Sequence, residues 1–182
     1  MMKSWKLPLI IVAAIVAVVL VFVFAFQGVQ NHAIGLEEQI TTAQSEIKIQ
    51  EKRRADLIPN LVDCVQAYDK HEYETLLAVI EARGVGSDEA VSEIMTSINV
   101  VAEQYPALQS NENYQQLMTE LATTENLIAQ TRTNYNTWVT QYNSYIRKFP
   151  NGAILNMLGY ARQNFTKLDY NVSSDAPTNL FD

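Results

Sequence analysis

The side chains that most often carry chemistry are scarce in this 182-residue sequence, which has two histidines and one cysteine. His71-Glu72, with Asp69 and Glu74 close by, has the composition of a metal site. A divalent cation needs about three or four ligands converging from one face. The other histidine, His32, follows a long apolar run, and no HExxH spacing occurs, so His71 is expected as an exposed helical residue. Cys64 has no histidine at i+3 or i+4. His71 is seven residues on, two helical turns away, too far for the hydrogen bond that would activate a thiol. Cys64 sits among apolar helix positions and is expected to be a small buried residue. There is no GxSxG and no glycine-rich loop to hold phosphate. Glu112, Glu120 and Glu125 are spaced as solvated helix positions, which gives paired-carboxylate catalysis no support. The sequence offers no catalytic, cofactor-binding or metal-ligating residue set, and a non-enzymatic protein is expected.

The strongest remaining signal is a Tyr/Trp/Asn cluster over residues 135–149. Tyr135-Asn136 and Tyr142-Asn143 repeat at a heptad interval, so both pairs project from one side of a helix. The rings are expected to fill a core while the asparagines bond at its edge, to Arg53, Arg54 or Asp56. The alternatives are a partner-docking surface, since Tyr, Trp and Arg dominate binding hot spots, or an interior ligand site beside Tyr135 and Tyr142.

These residues must be positioned by helices, and the first lies in a membrane. Leu7 to Phe26 runs without a charge or polar group. At ~1.5 Å per residue that is ~30 Å, the hydrocarbon thickness of a bilayer. A cleaved signal peptide has a shorter apolar core and a small-x-small site after it; here Val23-Phe24-Ala25 lies inside the run. A retained transmembrane helix over 7–26 is therefore expected, behind a short segment 1–6. Lys3 and Lys6 precede the span and the next basic residue is Lys48, which predicts a cytoplasmic N-terminus with the domain outside. Past residue 26 the chain holds 11 Lys and Arg against 20 Asp and Glu, a net charge of −9. Neither nucleic acid nor anionic lipid headgroups are accordingly expected as partners of the domain's average surface.

Beyond residue 33 the pattern reads as helix, with no sustained apolar/polar alternation. A first helix is expected from about Leu36 to Ile80, interrupted or kinked near Arg54–Ile58 by Pro59. The mostly polar stretch 37–54 reads as a solvated stalk within residues 27–54, with Gly28 and Gly35 as hinges. Arg83-Gly84-Val85-Gly86 ends that helix, and Ser87-Asp88-Glu89 opens a second that stops at Pro106. The third, from Ser110 or Asn111 to Phe149, carries Tyr114, Leu117, Leu121, Thr124, Ile128, Thr131, Tyr135, Trp138, Tyr142, Tyr145 and Phe149 at 3-4 spacing. It would be ~58 Å long. A short fourth helix is expected over Ala153–Phe165, then an irregular tail, 166–182. Short connections favour antiparallel neighbours, so the fold class is all-α: an elongated antiparallel four-helix bundle over 55–165, with 36–54 contributing and long coiled-coil-like helices.

Three blocks carry a resemblance. They are Arg53-Arg54-Ala55-Asp56-Leu57-Ile58-Pro59-Asn60-Leu61-Val62 with Tyr68 and His71-Glu72; Tyr105-Pro106-Ala107-Leu108 with Asn111-Glu112-Asn113-Tyr114, Leu117 and Leu121; and Thr124-Glu125-Asn126-Leu127-Ile128-Ala129 with Arg132, Tyr135-Asn136, Val139, Tyr142-Asn143 and Phe149-Pro150. In these the chain resembles the LemA family of bacterial membrane-anchored proteins over most of residues 45–165. It departs at Cys64 and Gln66, and its tail follows the family pattern loosely. The resemblance implies a bundle of long helices behind an N-terminal anchor and assigns no biochemical activity. It links one branch, in magnetic bacteria, to organelle membranes, and it implies a short N-terminus outside, opposite to the charge argument.

Together these readings predict a single-pass adaptor or scaffold of the bacterial cytoplasmic (inner) membrane. It would be held by its own anchor, present a helical rod to envelope or membrane-protein partners, and associate with itself to form an oligomer. A membrane-tethered sensor binding a small molecule or peptide within the bundle is the alternative.

Overall fold

The computed structural model describes residues 6–168. Among these the chain is all-helical, without a strand. The elements are α1 (Lys6–Gln66), α2 (Lys70–Arg83), α3 (Asp88–Gln104), α4 (Pro106–Gln109), α5 (Glu112–Arg147) and α6 (Asn151–Met157). The chain divides into two compact units: one from residues up to Thr41 and from Tyr135 onward, the other Thr42–Asn134. The expected segment 1–6 and the tail 166–182 lie largely outside the described residues.

In the first unit, α1 carries a stretch long and apolar enough to cross a membrane, with a mean hydropathy of 3.4 and none of it buried. Its large side chains from Leu9 to Phe24 face outward, Phe24 at 72% exposure. The helix continues through Gly28 and Gly35 without the expected hinges. A helical glycine costs only about 1 kcal/mol, and the packing of Ala33, Leu36 and Ile40 offsets it. In the same unit Tyr135, Val139, Tyr142 and Ile146 of α5 and Leu155 of α6 are also buried. The α5 seam thus departs from the expected Trp138, Tyr145 and Phe149. A helix of 3.6 residues per turn drifts off a strict heptad, so Tyr135 and Tyr142 stay in the stripe while Val139 and Ile146 take the positions next to Trp138 and Tyr145. Phe149 is 86% exposed because α5 ends at Arg147. The short fourth helix ends at Met157 rather than Phe165, and Gly159 at φ 66° turns the chain into an irregular segment reaching Leu168.

In the second unit the expected helix Leu36–Ile80 is two helices. α1 stops at Gln66, and α2 begins where the Asp69 carboxylate accepts the Glu72 N–H at 3.0 Å. Ser87 caps α3 in the same way through Ala90 N. The break expected before Pro59 is absent: α1 runs through it. Pro59 removes one N–H, while Ile58, Leu61, Val62 and Val65 beside it are fully buried. Asn60 Nδ2 donates to the Asp56 carbonyl at 3.0 Å in the same turn. The core closes on Leu76 of α2, Ile94, Ile98 and Val101 of α3, Leu108 of α4, and Tyr114 and Leu121 of α5. Burying each large aliphatic side chain contributes roughly 1.5–3 kcal/mol. The stretch 37–54, expected as a solvated stalk, buries Ile40 in the first unit and Ala43, Ile47 and Arg54 in the second.

Candidate functional site

The buried stripe of α1 steps in threes and fours through Ala33, Leu36, Ile40, Ala43 and Ile47 to Leu57 and Leu61. That register puts Gln50 and Arg54 at core positions. Arg54 is 1% exposed and is the largest fully buried side chain of the second unit. Its Nη1 donates to Asp88 Oδ1 at 2.8 Å and Glu125 Oε1 at 3.4 Å, and its Nη2 to the Gly86 carbonyl at 3.5 Å. From α5, Arg132 donates to both Asp88 oxygens, at 2.7 and 3.2 Å, and to Glu51 Oε1 at 2.9 Å. Asp88, at the first turn of α3, therefore ties α1 and α5 to that helix N-terminus, where negative charge is favoured. The Arg132 hydrogen bond holds the Asp88 carboxyl below its ordinary range; partial burial opposes this and the Arg54 bond reinforces it. The same bond raises the Arg132 guanidinium further. Arg54 Nε and Gln50 Oε1, a donor and an acceptor one turn apart, are buried without a hydrogen-bond partner among the described residues.

An open cleft of about 400 Å³ adjoins this cluster. Val91 and Met95 of α3 and Met118, Leu121 and Ala122 of α5 form its apolar walls, with Arg54, Asp88, Glu125 and Arg132 at its charged side. Flexible thioether walls beside a mixed-charge rim suit an apolar side chain with a polar neighbour, as on a partner protein.

The residues singled out from sequence fall elsewhere. His71 is exposed, Asp69 is a helix cap, and no three His, Cys, Asp or Glu come together among the described residues. Cys64 is half-buried in a second cleft of about 360 Å³ with Asn60, Asn113 and Glu120. Burial and then the Asp63 charge push its thiol up, away from the reactive thiolate. Glu120 and Glu125, expected as solvated positions, pair with Arg53 at 2.7 Å and Arg54 at 3.4 Å. Both lie on the α5 side that meets α1.

In the first unit the repeated Tyr-Asn pairs have a defined task. Asn136 donates from Nδ2 to the Leu168 carbonyl at 3.0 Å and accepts the Leu168 N–H at 2.8 Å. Asn143 donates to the Phe165 carbonyl and Tyr135 to the Thr166 carbonyl. Tyr142 accepts the Gln163 N–H and donates to Glu37 at 2.9 Å, which also accepts from the Tyr160 hydroxyl. The asparagines thus bond not to Arg53, Arg54 or Asp56 but to the chain's own returning segment, whose backbone has no helix or sheet to satisfy it. Burial and the Glu37 bond push the Tyr160 hydroxyl well above its ordinary value. The surface beside Tyr135 and Tyr142 is covered by this segment, and the Phe165 ring packs edge-on at 5.2 Å from Tyr142.

The family model described as the LemA family matches residues 43–181. Protein LemA of Metamycoplasma hominis is 30% identical over 141 residues, 71% of this chain and 64% of that protein. Magnetosome protein MamQ 2 of Paramagnetospirillum magneticum is 32% identical over 81 residues, covering 44% of this chain and 30% of its own length. Magnetosome protein MamQ of Magnetospirillum gryphiswaldense is 30% identical over the same shares. The chain spans less than two thirds of the length of these curated relatives. The matched blocks include the Arg54 cluster and the Tyr-Asn pairs, and the chain belongs to the LemA family.

Proposed function

We propose that this protein is a non-enzymatic, single-pass adaptor or scaffold that holds a helical surface beside a membrane for protein partners, including further copies of itself. The observation that carries the reading is the exposed apolar stretch of α1, which belongs to the same unbroken helix that buries Ala33, Leu36 and Ile40 in the first unit. A membrane-spanning segment that is also core architecture fixes the first unit to the bilayer without a flexible linker. In this reading the helices assemble as an antiparallel four-helix bundle with coiled-coil-like packing. The host membrane is the bacterial cytoplasmic membrane, and the flanking lysines keep the N-terminus cytoplasmic. The cleft between α3 and α5 is the surface offered to a partner. The sensor alternative loses support at Tyr135 and Tyr142, where the chain fills its own site.

The test is alkaline extraction of membranes carrying the full-length chain, followed by light scattering in detergent. Retention in the pellet and a discrete oligomer or a co-purifying membrane protein are the expected results. Release into the wash rejects the anchor; a strict monomer with nothing bound rejects the scaffold.

A further inference from the structure

We propose that the turn joining α5 to α6 is a second membrane contact, a basic and apolar tip that rests on the headgroups of an anionic bilayer beside the α1 span. It builds on reading the apolar stretch of α1 as a span, and it concerns the first unit alone.

The tip is brought to the right level by the pairing of α5 with α1. The two run antiparallel: Tyr142 reaches Glu37, and Tyr145 reaches the Val29 carbonyl at 3.2 Å while its ring lies tilted 4.6 Å from that of His32. Val29 is three residues past Phe26, where the apolar run ends. Each further α5 residue moves about 1.5 Å back toward that run, so Arg147, Lys148 and Phe149 arrive at its boundary. Gly152 holds the turn close. It is buried, its N–H bonds to the Lys148 carbonyl at 2.9 Å, and a Cβ there would meet the Ile146 carbonyl oxygen at 2.8 Å.

What the tip exposes is chosen for an interface rather than for water. Phe149 is 86% exposed and Met157 of α6 74%. Large apolar side chains left in water next to a span are the residues that enter the headgroup layer. Charge points the same way. The whole chain carries a net −7, yet from Tyr135 to Leu168 it holds no carboxylate and four cations, Arg147, Lys148, Arg162 and Lys167. Arg147 and Lys148 are exposed and have no ion-pair partner among the described residues. The helix dipole accounts for a cation at Arg147 in the last turn of α5, but not for Lys148 or Phe149 beyond it. Juxtamembrane cations are attracted to anionic headgroups within a Debye length.

The experiment uses the full-length chain with Cys64→Ala in bilayer discs, of phosphatidylcholine alone or with phosphatidylglycerol. A nitroxide is attached in turn at Phe24→Cys, Thr140→Cys and Phe149→Cys, and collision with oxygen is compared with collision with a polar nickel chelate. With phosphatidylglycerol, position 149 should show a severalfold lower nickel collision rate than position 140, and Arg147→Glu with Lys148→Glu should abolish the difference while far-ultraviolet dichroism stays unchanged. Equal nickel collision at 149 and 140 in anionic discs, with position 24 deep in lipid, overturns the tip alone. Protection at 149 that survives both glutamates, or is equal in neutral discs, overturns its electrostatic basis. A water-exposed position 24 overturns the span itself, and the tip with it.

Discussion

At the residue scale, the most consequential side chain is one with little outward sign of importance. Arg54 is a buried cation whose guanidinium joins α3 and α5 to α1. Its acidic partners are partly exposed, Asp88 at 51% and Glu125 at 41%, so they can rehydrate if the arginine is lost. Arg54→Ala should therefore cost about 2–4 kcal/mol, mainly from lost packing. Arg54→Met, which refills the space, should cost less than half as much; thermal unfolding of both variants checks this. Asp88 sets a pH dependence. Its folded-state pKa is lowered from 3.8, so its stabilisation is present above the unfolded value and lost as pH falls through the lowered one. Asp88→Asn should reduce stability at pH 6 and flatten the decline below about pH 4, read from melting temperature against pH. Asn136 offers a third test. Asn136→Ala removes both bonds to Leu168 and should cost about 1–2 kcal/mol, with faster protease cleavage within residues 160–168. Asn136→Asp keeps the acceptor for the Leu168 N–H and should fall between the two.

At the element scale, what holds the helices is the register of two long stripes. Gly152 shows how little room one junction leaves. Gly152→Ala drives a methyl into the Ile146 backbone carbonyl, and a destabilisation of roughly 1–3 kcal/mol is expected in a melt. The α5 seam was legible at Tyr114, Leu121, Ile128, Tyr135 and Tyr142, where large side chains mark it, and was missed at Val139 and Ile146, which helical drift brings in beside them. The α1 seam was under-read for a different reason. Ala33 and Ala43 carry little hydrophobic signal, and Gln50 and Arg54 occupy seam positions as polar residues. A strict three-four count from Ile40 and Ile47 would have landed on Arg54. The partners of Asn136 and Asn143 were not legible at all: they are backbone groups of an aperiodic segment, reached only through the turn at Gly159. At Pro59 the expected break is absent, because burial on its flanks outweighs one missing hydrogen bond.

At the scale of the whole molecule, an uninterrupted apolar run revealed the stretch of α1, and sustained 3-4 spacing revealed the all-helical character. In the proposed reading, function resides in surfaces rather than in reactive groups, which spacing along the chain does not mark. The cleft walls Met95 and Met118 come from separate helices, and no spacing in the chain announces their meeting. The measurement that tests the account most directly is photo-crosslinking of the full-length chain in its native membranes, with a photoreactive residue replacing Met95 or Met118. The account predicts a reproducible adduct of discrete mass, to a membrane protein or to a second copy, that weakens when Leu121→Glu charges the cleft. A chain that resists alkaline extraction yet yields only monomer from both positions would contradict it.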